Sequence, residues 1–147
     1  MRARVKGGDK AAEFMKRQKR RMKGKRNVAV GFPSGEVSGH NLNKAVWQEF
    51  GTSRGIPERP FMRGSVSKNK GKYRKQMTAA AKAITNGGLT MELAMDQLGA
   101  VAAGDIQAEI VALQDPPNAP STIAKKGSSN PLIDTGAMRQ SVTWKVR

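Results

Sequence analysis

Few residues in this chain could do chemistry. His40 is the sole histidine among 147 residues, it sits in Ser38-Gly39-His40-Asn41, and there is no cysteine. Thiol nucleophiles, Cys-bearing zinc sites and disulfides are therefore excluded. A lone imidazole reads as a loop or surface residue rather than a metal ligand. Glu92, Asp96, Asp105 and Glu109 fall in two i/i+4 pairs. A metal-binding helix face could be built that way, but a charged outer face is the expectation. Asp134, in Asp134-Thr135-Gly136, reads as a turn cap, because no second carboxylate lies within local reach for acid–base work. A phosphate-cradling G-x-x-x-x-G-K-[ST] and a nucleophile-elbow G-x-S-x-G are both missing from the sequence. These residues predict no catalysis, no metal and no cofactor.

Charge is the stronger signal. The chain carries 27 Lys+Arg against 11 Asp+Glu, a net +16. Residues 1–26 hold twelve of the cations and two acids. Residues 63–83 hold seven cations and no acid, whereas 84–115 hold five acids and no cation. Adjacent blocks of opposite sign predict charge-matched packing, within the chain or between copies. The leader, with Lys16, Arg17, Lys19, Arg20, Arg21 and Lys23, reads either as a solvated tail or as a partner-binding arm. Polyanion contact is expected of such a chain. Specific nucleic-acid readout is not, because aromatic residues are 5% of the chain and the one tyrosine, Tyr73, has core spacing.

The elements that must position these residues follow from hydrophobic spacing. Residues 9–23 predict a helix capped by Asp9, with a narrow stripe of Ala11, Phe14, Met15 and Met22. Val28, Val30 and Phe32 alternate as in a strand over 27–32, followed by a turn at Pro33-Ser34-Gly35 and a loop over 36–40. A short helix is expected over 42–50, ended by Gly51. Residues 51–60, with Pro57 and Pro60, form an irregular loop whose ordering costs less entropy. Ser65 is the expected cap of a third helix, with Val66, Tyr73, Met77, Ala80, Ala81 and Ile84 in one stripe and Asn86-Gly87-Gly88 as its end.

Thr90 caps a fourth helix to about Leu113, its buried side supplied by Leu93, Leu98, Val101, Ile106, Ile110 and Leu113. Gly99 and Gly104 in that helix allow close helix–helix approach. Residues 116–130 read as an extended, proline-rich excursion. Asp134 or Thr135 caps a turn, and 141–147 is a strand with Val142, Trp144 and Val146 on one face.

This order predicts an α+β fold, a small antiparallel or mixed sheet packed by the two longer helices. Residues 1–26 form a basic helical arm and 27–147 a single domain. Two strands make a marginal sheet, so 60–63 or neighbouring copies must add more. No apolar run approaches a membrane span, and the leader has no apolar core of a signal peptide. The lack of cysteine suits a reducing, cytosolic origin.

Two segments together carry a resemblance. The first is Val46-Trp47-Gln48-Glu49-Phe50-Gly51-Thr52-Ser53, followed by Gly55-Ile56-Pro57-Glu58-Arg59-Pro60-Phe61-Met62-Arg63. The second begins at Pro116-Pro117-Asn118-Ala119-Pro120 and continues to Pro131-Leu132-Ile133-Asp134-Thr135-Gly136-Ala137-Met138-Arg139-Gln140-Ser141-Val142. In order and spacing they resemble the virion-morphogenesis family of tailed bacteriophages, the minor tail, tail-completion or neck proteins. The resemblance spans about residues 27–147 and leaves out the basic leader.

It implies a non-catalytic protein of the virion, assembled in host cytoplasm. The implied form is a homo-oligomeric ring at the head–tail junction that joins or caps the tail and lets DNA pass. The implied partners are other neck and tail proteins, with non-specific contact to genomic DNA and none to membrane. A small basic nucleic-acid-binding module is the alternative.

A ring needs rigid anchors. Glu49, Phe50, Ile56, Pro57, Arg59, Pro60, Phe61 and Arg63 form one candidate interface, and Pro117 and Pro120 belong to another. The competing reading puts Phe61 in the chain's own core and pairs Arg59 with Glu49 or Glu58.

Overall fold

The structure, a computed structural model, describes residues 7–33 and 35–147. The first six residues of the expected arm and Ser34 of the expected turn lie outside the described residues. The chain is α+β, in the order α1 Gly8–Arg21, β1 Val28–Gly31, α2 Gly39–Phe50, α3 Phe61–Asn86, α4 Met91–Ala112, α5 Pro120–Lys126, α6 Ala137–Gln140 and β2 Thr143–Val146. The two strands pair antiparallel, with Val28 opposite Val146 and Val30 opposite Trp144. Among the described residues no third strand joins them. Residues 60–63 open a helix instead of supplying one.

Helix α4 is the centre of the fold. It packs against α3 on one side and both strands on the other. Its small residues make this possible. Ala94, Gly99, Ala102 and Ala103 are buried beside Ile106 and Ile110, while Leu93 is 47% exposed. The expected stripe thus holds at Ile106 and Ile110 and is corrected at Leu93. A helix covered on two sides buries its small residues deepest, because close backbone approach leaves them the least room. A Cβ on Gly99 would overlap the Trp144 indole and the Val28 side chain. That glycine therefore serves a helix–sheet contact rather than a helix–helix one. Gly104 has open space around it. The indole Nε1 of Trp144 donates to Asp96 Oδ1 at 2.8 Å, which fixes the sheet on the helix.

The main core gathers Ala45, Phe61, Ile106, Ile110, Leu132 and Val142, and a smaller cluster of Ala80, Ile84 and Ala94 closes the far end of the α3–α4 hairpin. Along that hairpin the opposite charge blocks meet within the chain. Lys68 pairs with Glu109, and Lys72 with Asp105. Of the four carboxylates at i/i+4 spacing, Asp105 and Glu109 are therefore occupied by cations of α3 and Asp96 by the Trp144 indole.

Caps explain several boundaries. Thr90 Oγ1 accepts the Leu93 N–H at 3.3 Å, and Ser38 Oγ accepts that of Asn41 at 3.4 Å. The Ser38 cap starts α2 earlier than residue 42. Thr135 Oγ1 accepts the Ala137 N–H in the turn that leads into α6, whose N-cap is Gly136, so Thr135 rather than Asp134 supplies the side-chain bond of that turn. The N-cap of α1 is Gly7, which leaves Asp9 in its first turn. There its carboxylate complements the positive end of the helix dipole.

Ser65 does not cap α3. It is fully buried four residues inside the helix, which begins at Phe61. Val66 is 50% exposed, because the stripe opens there onto a groove that it lines together with Tyr73. The excursion 116–130 is corrected as well. It contains α5, with Pro120 in its first turn and Gly127 ending it at φ 68°, the usual proline-start, glycine-stop pattern.

Candidate subunit interface

The first resembling segment builds the junction between α2 and α3. The opening N–H groups of any helix lack intrahelical partners, and Pro60, at the N-cap of α3, offers no side-chain cap. Each donor is satisfied another way. The Phe61 N–H donates to the Arg59 carbonyl at 2.7 Å. The Met62 N–H donates to Glu49 Oε2 at 2.9 Å, and the Arg63 N–H to Glu49 Oε1 at 3.1 Å. The Glu49 carboxylate, at the end of α2, thus caps α3 from outside. A negative group at a helix N-terminus is favoured by the dipole.

Arg63 then closes the junction. Its Nε donates to Glu49 Oε1 and its Nη2 to the Glu49 carbonyl, each at 2.9 Å, and Nη2 also meets Glu58. Bonding to Glu49 first, and to Glu58 second, pushes the Arg63 guanidinium pKa up. Its guanidinium carbon stands 5.0 Å from the centre of the Phe50 ring, within cation–π range.

Arg59 does not pair with Glu49 or Glu58. It is 3% exposed, and its three donors reach the Pro116 carbonyl at 2.7 Å, the Pro117 carbonyl at 2.9 Å and Gln48 Oε1 at 2.7 Å. Burial pushes its pKa down. The rigid guanidinium fork suits three fixed acceptors. Through it the proline loop 51–60 and the start of the second resembling segment become neighbours. Asn130 orders the rest of that segment. Its Oδ1 accepts the Leu132 and Ile133 N–H groups at 3.0 Å, and its Nδ2 donates to the Val111 carbonyl. The stretch read as an unstructured excursion is therefore tied at both ends.

The expected interface residues divide accordingly. Phe61 is fully buried and meets Phe32 edge-to-face, with centroids 6.3 Å apart. Glu49 is 1% exposed. Phe61, Glu49 and Arg59 serve the chain's own core and junction, so their surface is not offered to a neighbour. This corrects their assignment as anchors. The physical reason is that their polar and apolar groups are already consumed within the chain. Phe50, Pro57, Pro60, Arg63, Pro117 and Pro120 remain exposed, and Ile56 is half-buried. Phe50 stands at 60% exposure, and Val46 and Trp47 beside it on α2 are also uncovered.

Val46 and Trp47 are not among the expected interface residues, although i/i+4 spacing with Phe50 puts Val46 on one helical face with it. Trp47 and Ile56 edge a pocket of about 280 Å³ that Pro131, Leu132 and Met138 complete.

A second open surface lies along β1. Asn27 and Arg147 exchange backbone bonds of 3.1 and 2.8 Å. Alternation along an antiparallel ladder then makes 29 and 31 the bonded positions, and turns the N–H and C=O of Val28 and Val30 outward. That edge borders a groove of about 740 Å³ between β1 and α3, floored by Leu98, Ala102 and Ile106 of α4. Unpaired edge groups beside apolar surface make a template for strand addition.

The basic leader lies elsewhere. The Gln18 Nε2 of α1 donates to the Thr85 carbonyl at 2.7 Å, and the Arg21 guanidinium packs on Gly87 at the end of α3. Phe14, Met15 and Met22 are 47%, 66% and 47% exposed. His40 is exposed at the start of α2. Among the described residues, no group of three or more His, Asp or Glu could hold a metal ion. No described helix is long and apolar enough to cross a membrane.

Comparisons of the chain with protein-family models, with curated proteins and with solved structures find no match.

Proposed function

We propose that this chain is a structural protein of a tailed-bacteriophage virion, acting as a subunit of a ring at the head–tail junction that joins or caps the tail. One observation carries the reading. The two segments whose residues resemble the virion-morphogenesis family are some fifty residues apart in the chain, yet Arg59 binds them into one rigid unit. A motif pair that meets in space is a single device rather than two chance matches.

The surface around that unit suits assembly. Phe50, Trp47, Val46, Pro57 and Pro117 present apolar and stiff groups with little ordering entropy left to lose. The sheet has two strands and open edges, a form that gains stability when neighbours complete it. In this reading the ring's neighbours are further copies and other neck or tail proteins, and the chain does no catalysis.

Particles assembled without the chain test it. Filled heads accumulating apart from finished tails are the expected result, with joining restored by added protein. Intact infectious particles would overturn the proposal.

A further inference from the structure

Helix α3 carries seven cations and no acid between residues 63 and 83, and the structure sorts them by flank. Lys68 and Lys72 turn to α4 and are paired there with Glu109 and Asp105. Arg63, Lys70 and Arg74 follow at i, i+7 and i+11, which makes one row along the opposite flank. Arg63 is held by Glu49 and Glu58. Lys70 and Arg74 are in no ion pair among the described residues.

That flank is one wall of the groove beside β1. Arg63, Lys70, Val66 and Tyr73 line it, and none of the described residues around the groove is acidic. Asp105 lies beside the Tyr73 phenol but is engaged by Lys72. The other wall is the free edge of β1, where the N–H and C=O of Val28 and Val30 point away from β2. A strand laid along that edge would satisfy those groups and cover Val66, which is 50% exposed.

The chain offers no such strand with a counter-charge. β1 is Val-Ala-Val-Gly and β2 is Thr-Trp-Lys-Val, so a second copy would bring a further lysine and no carboxylate. Glu36, just beyond β1, is bound to Lys145. Glu58 and Asp115 adjoin prolines, which cannot donate to a ladder. Asp134 follows Leu132 and Ile133, whose N–H groups are held by Asn130. The remaining acids are in helices α1, α2 and α4.

We propose that this groove seats an extended acidic segment of another protein as a third strand on β1. Its apolar side chains would rest on α3 and α4, and its carboxylates would meet Lys70 and Arg74. The phage reading would make the donor a neck or tail protein, but the groove argument holds without it.

The full chain is titrated into a fluorescein-labelled hexapeptide of alternating Glu and Val, followed by anisotropy. Saturable binding that weakens with added salt is expected, and a Lys/Val hexapeptide should bind at least about tenfold more weakly. K70E/R74E is expected to weaken the Glu/Val peptide about tenfold and to strengthen the Lys/Val one. The control K75E/K82E, equal in charge, alters lysines turned away from the groove and should change either affinity by less than about threefold. Backbone pairing is read on the peptide itself. Successive residues of a strand turn their amides to opposite sides, so N-methylating one alternate set should abolish binding and the other set should preserve it.

Far-UV circular dichroism checks that both double variants keep their helices, and K70Q/R74Q replaces K70E/R74E if that one does not. The methylated peptides test the proposal on the unaltered chain. Failure of the Glu/Val peptide to bind, or equal binding of the Lys/Val peptide, would overturn it. Equal effects of the two methylation patterns would overturn strand addition. Loss of self-association in K70E/R74E would overturn it in favour of another copy. Normal particles without the chain would sink the ring and leave groove binding standing.

Discussion

The α2–α3 junction and the α1 arm use the same residue types to opposite ends. At the junction every strong group has a partner: Glu49 caps a helix, Arg63 holds Glu49, and Arg59 spans three acceptors. On the arm, none of the six cations between residues 16 and 23 is in an ion pair among the described residues, and Met15 and Met22 stand half-bare. A charged residue inside a network holds its own fold together. A charged residue outside one is available to something else. Residue type alone does not separate the two cases, since an arginine occurs in both. Burial and the geometry of acceptors do.

The comparison can be broken at its strongest point. Phe61→Ala removes a fully buried ring from the core and is expected to cost about 4 kcal/mol, read by urea denaturation. A loss below about 1 kcal/mol would mean that the junction is not part of the folding core. Glu49→Ala comes next. Removing the cap leaves the Met62 and Arg63 N–H groups without their acceptor, and about 2.5 kcal/mol is expected to go. Glu49→Gln, which keeps an acceptor but not the charge, should lose less. Gly99→Ala drives a methyl into Trp144 and Val28 and is expected to cost about 2 kcal/mol, with a change in Trp144 fluorescence.

A pH titration sharpens the picture of the α3–α4 contact. Burial, and then the Asp105 carboxylate beside it, push the Tyr73 phenol up to about 12 from its usual 10. The fold therefore holds this proton more tightly than the unfolded chain does. The corresponding stability is fully present below pH 10 and is lost as pH rises from there toward 12. With a single tyrosine in the chain, tyrosinate absorbance is expected to rise near pH 12 in the native state and near 10 in urea. At the small end, Lys16→Ala is expected to leave the urea midpoint unchanged within error. A clear fall would show the arm to be part of the fold.

Much of the architecture was legible in the sequence. Alternation gave both strands, though each is shorter by a residue or more at its ends than the pattern suggested. Spacing gave the helices, and Thr90, Gly51 and the 86–88 stretch marked real boundaries. Helix α5 was missed although Pro120 and Gly127 carried a start and a stop. Proline content suggests a loop there, whereas proline position marks a helix start. The origin of α3 was missed because its cap is not local. Thirteen positions separate Glu49 from Met62, and no window of nearby residues contains both.

The sequence by itself determined the α+β class, the placement of charge and the shortage of catalytic groups. Periodicity, net charge and composition are local or additive properties, so they survive without coordinates. Only the tertiary structure decided which side chains of the proline loop are interior, which acids are already neutralised, and which half of α1 faces outward. Those outcomes depend on where residues distant in the chain meet. Partner geometry and burial set the cost of leaving a charge or ring uncovered, and both exist only once the chain has folded.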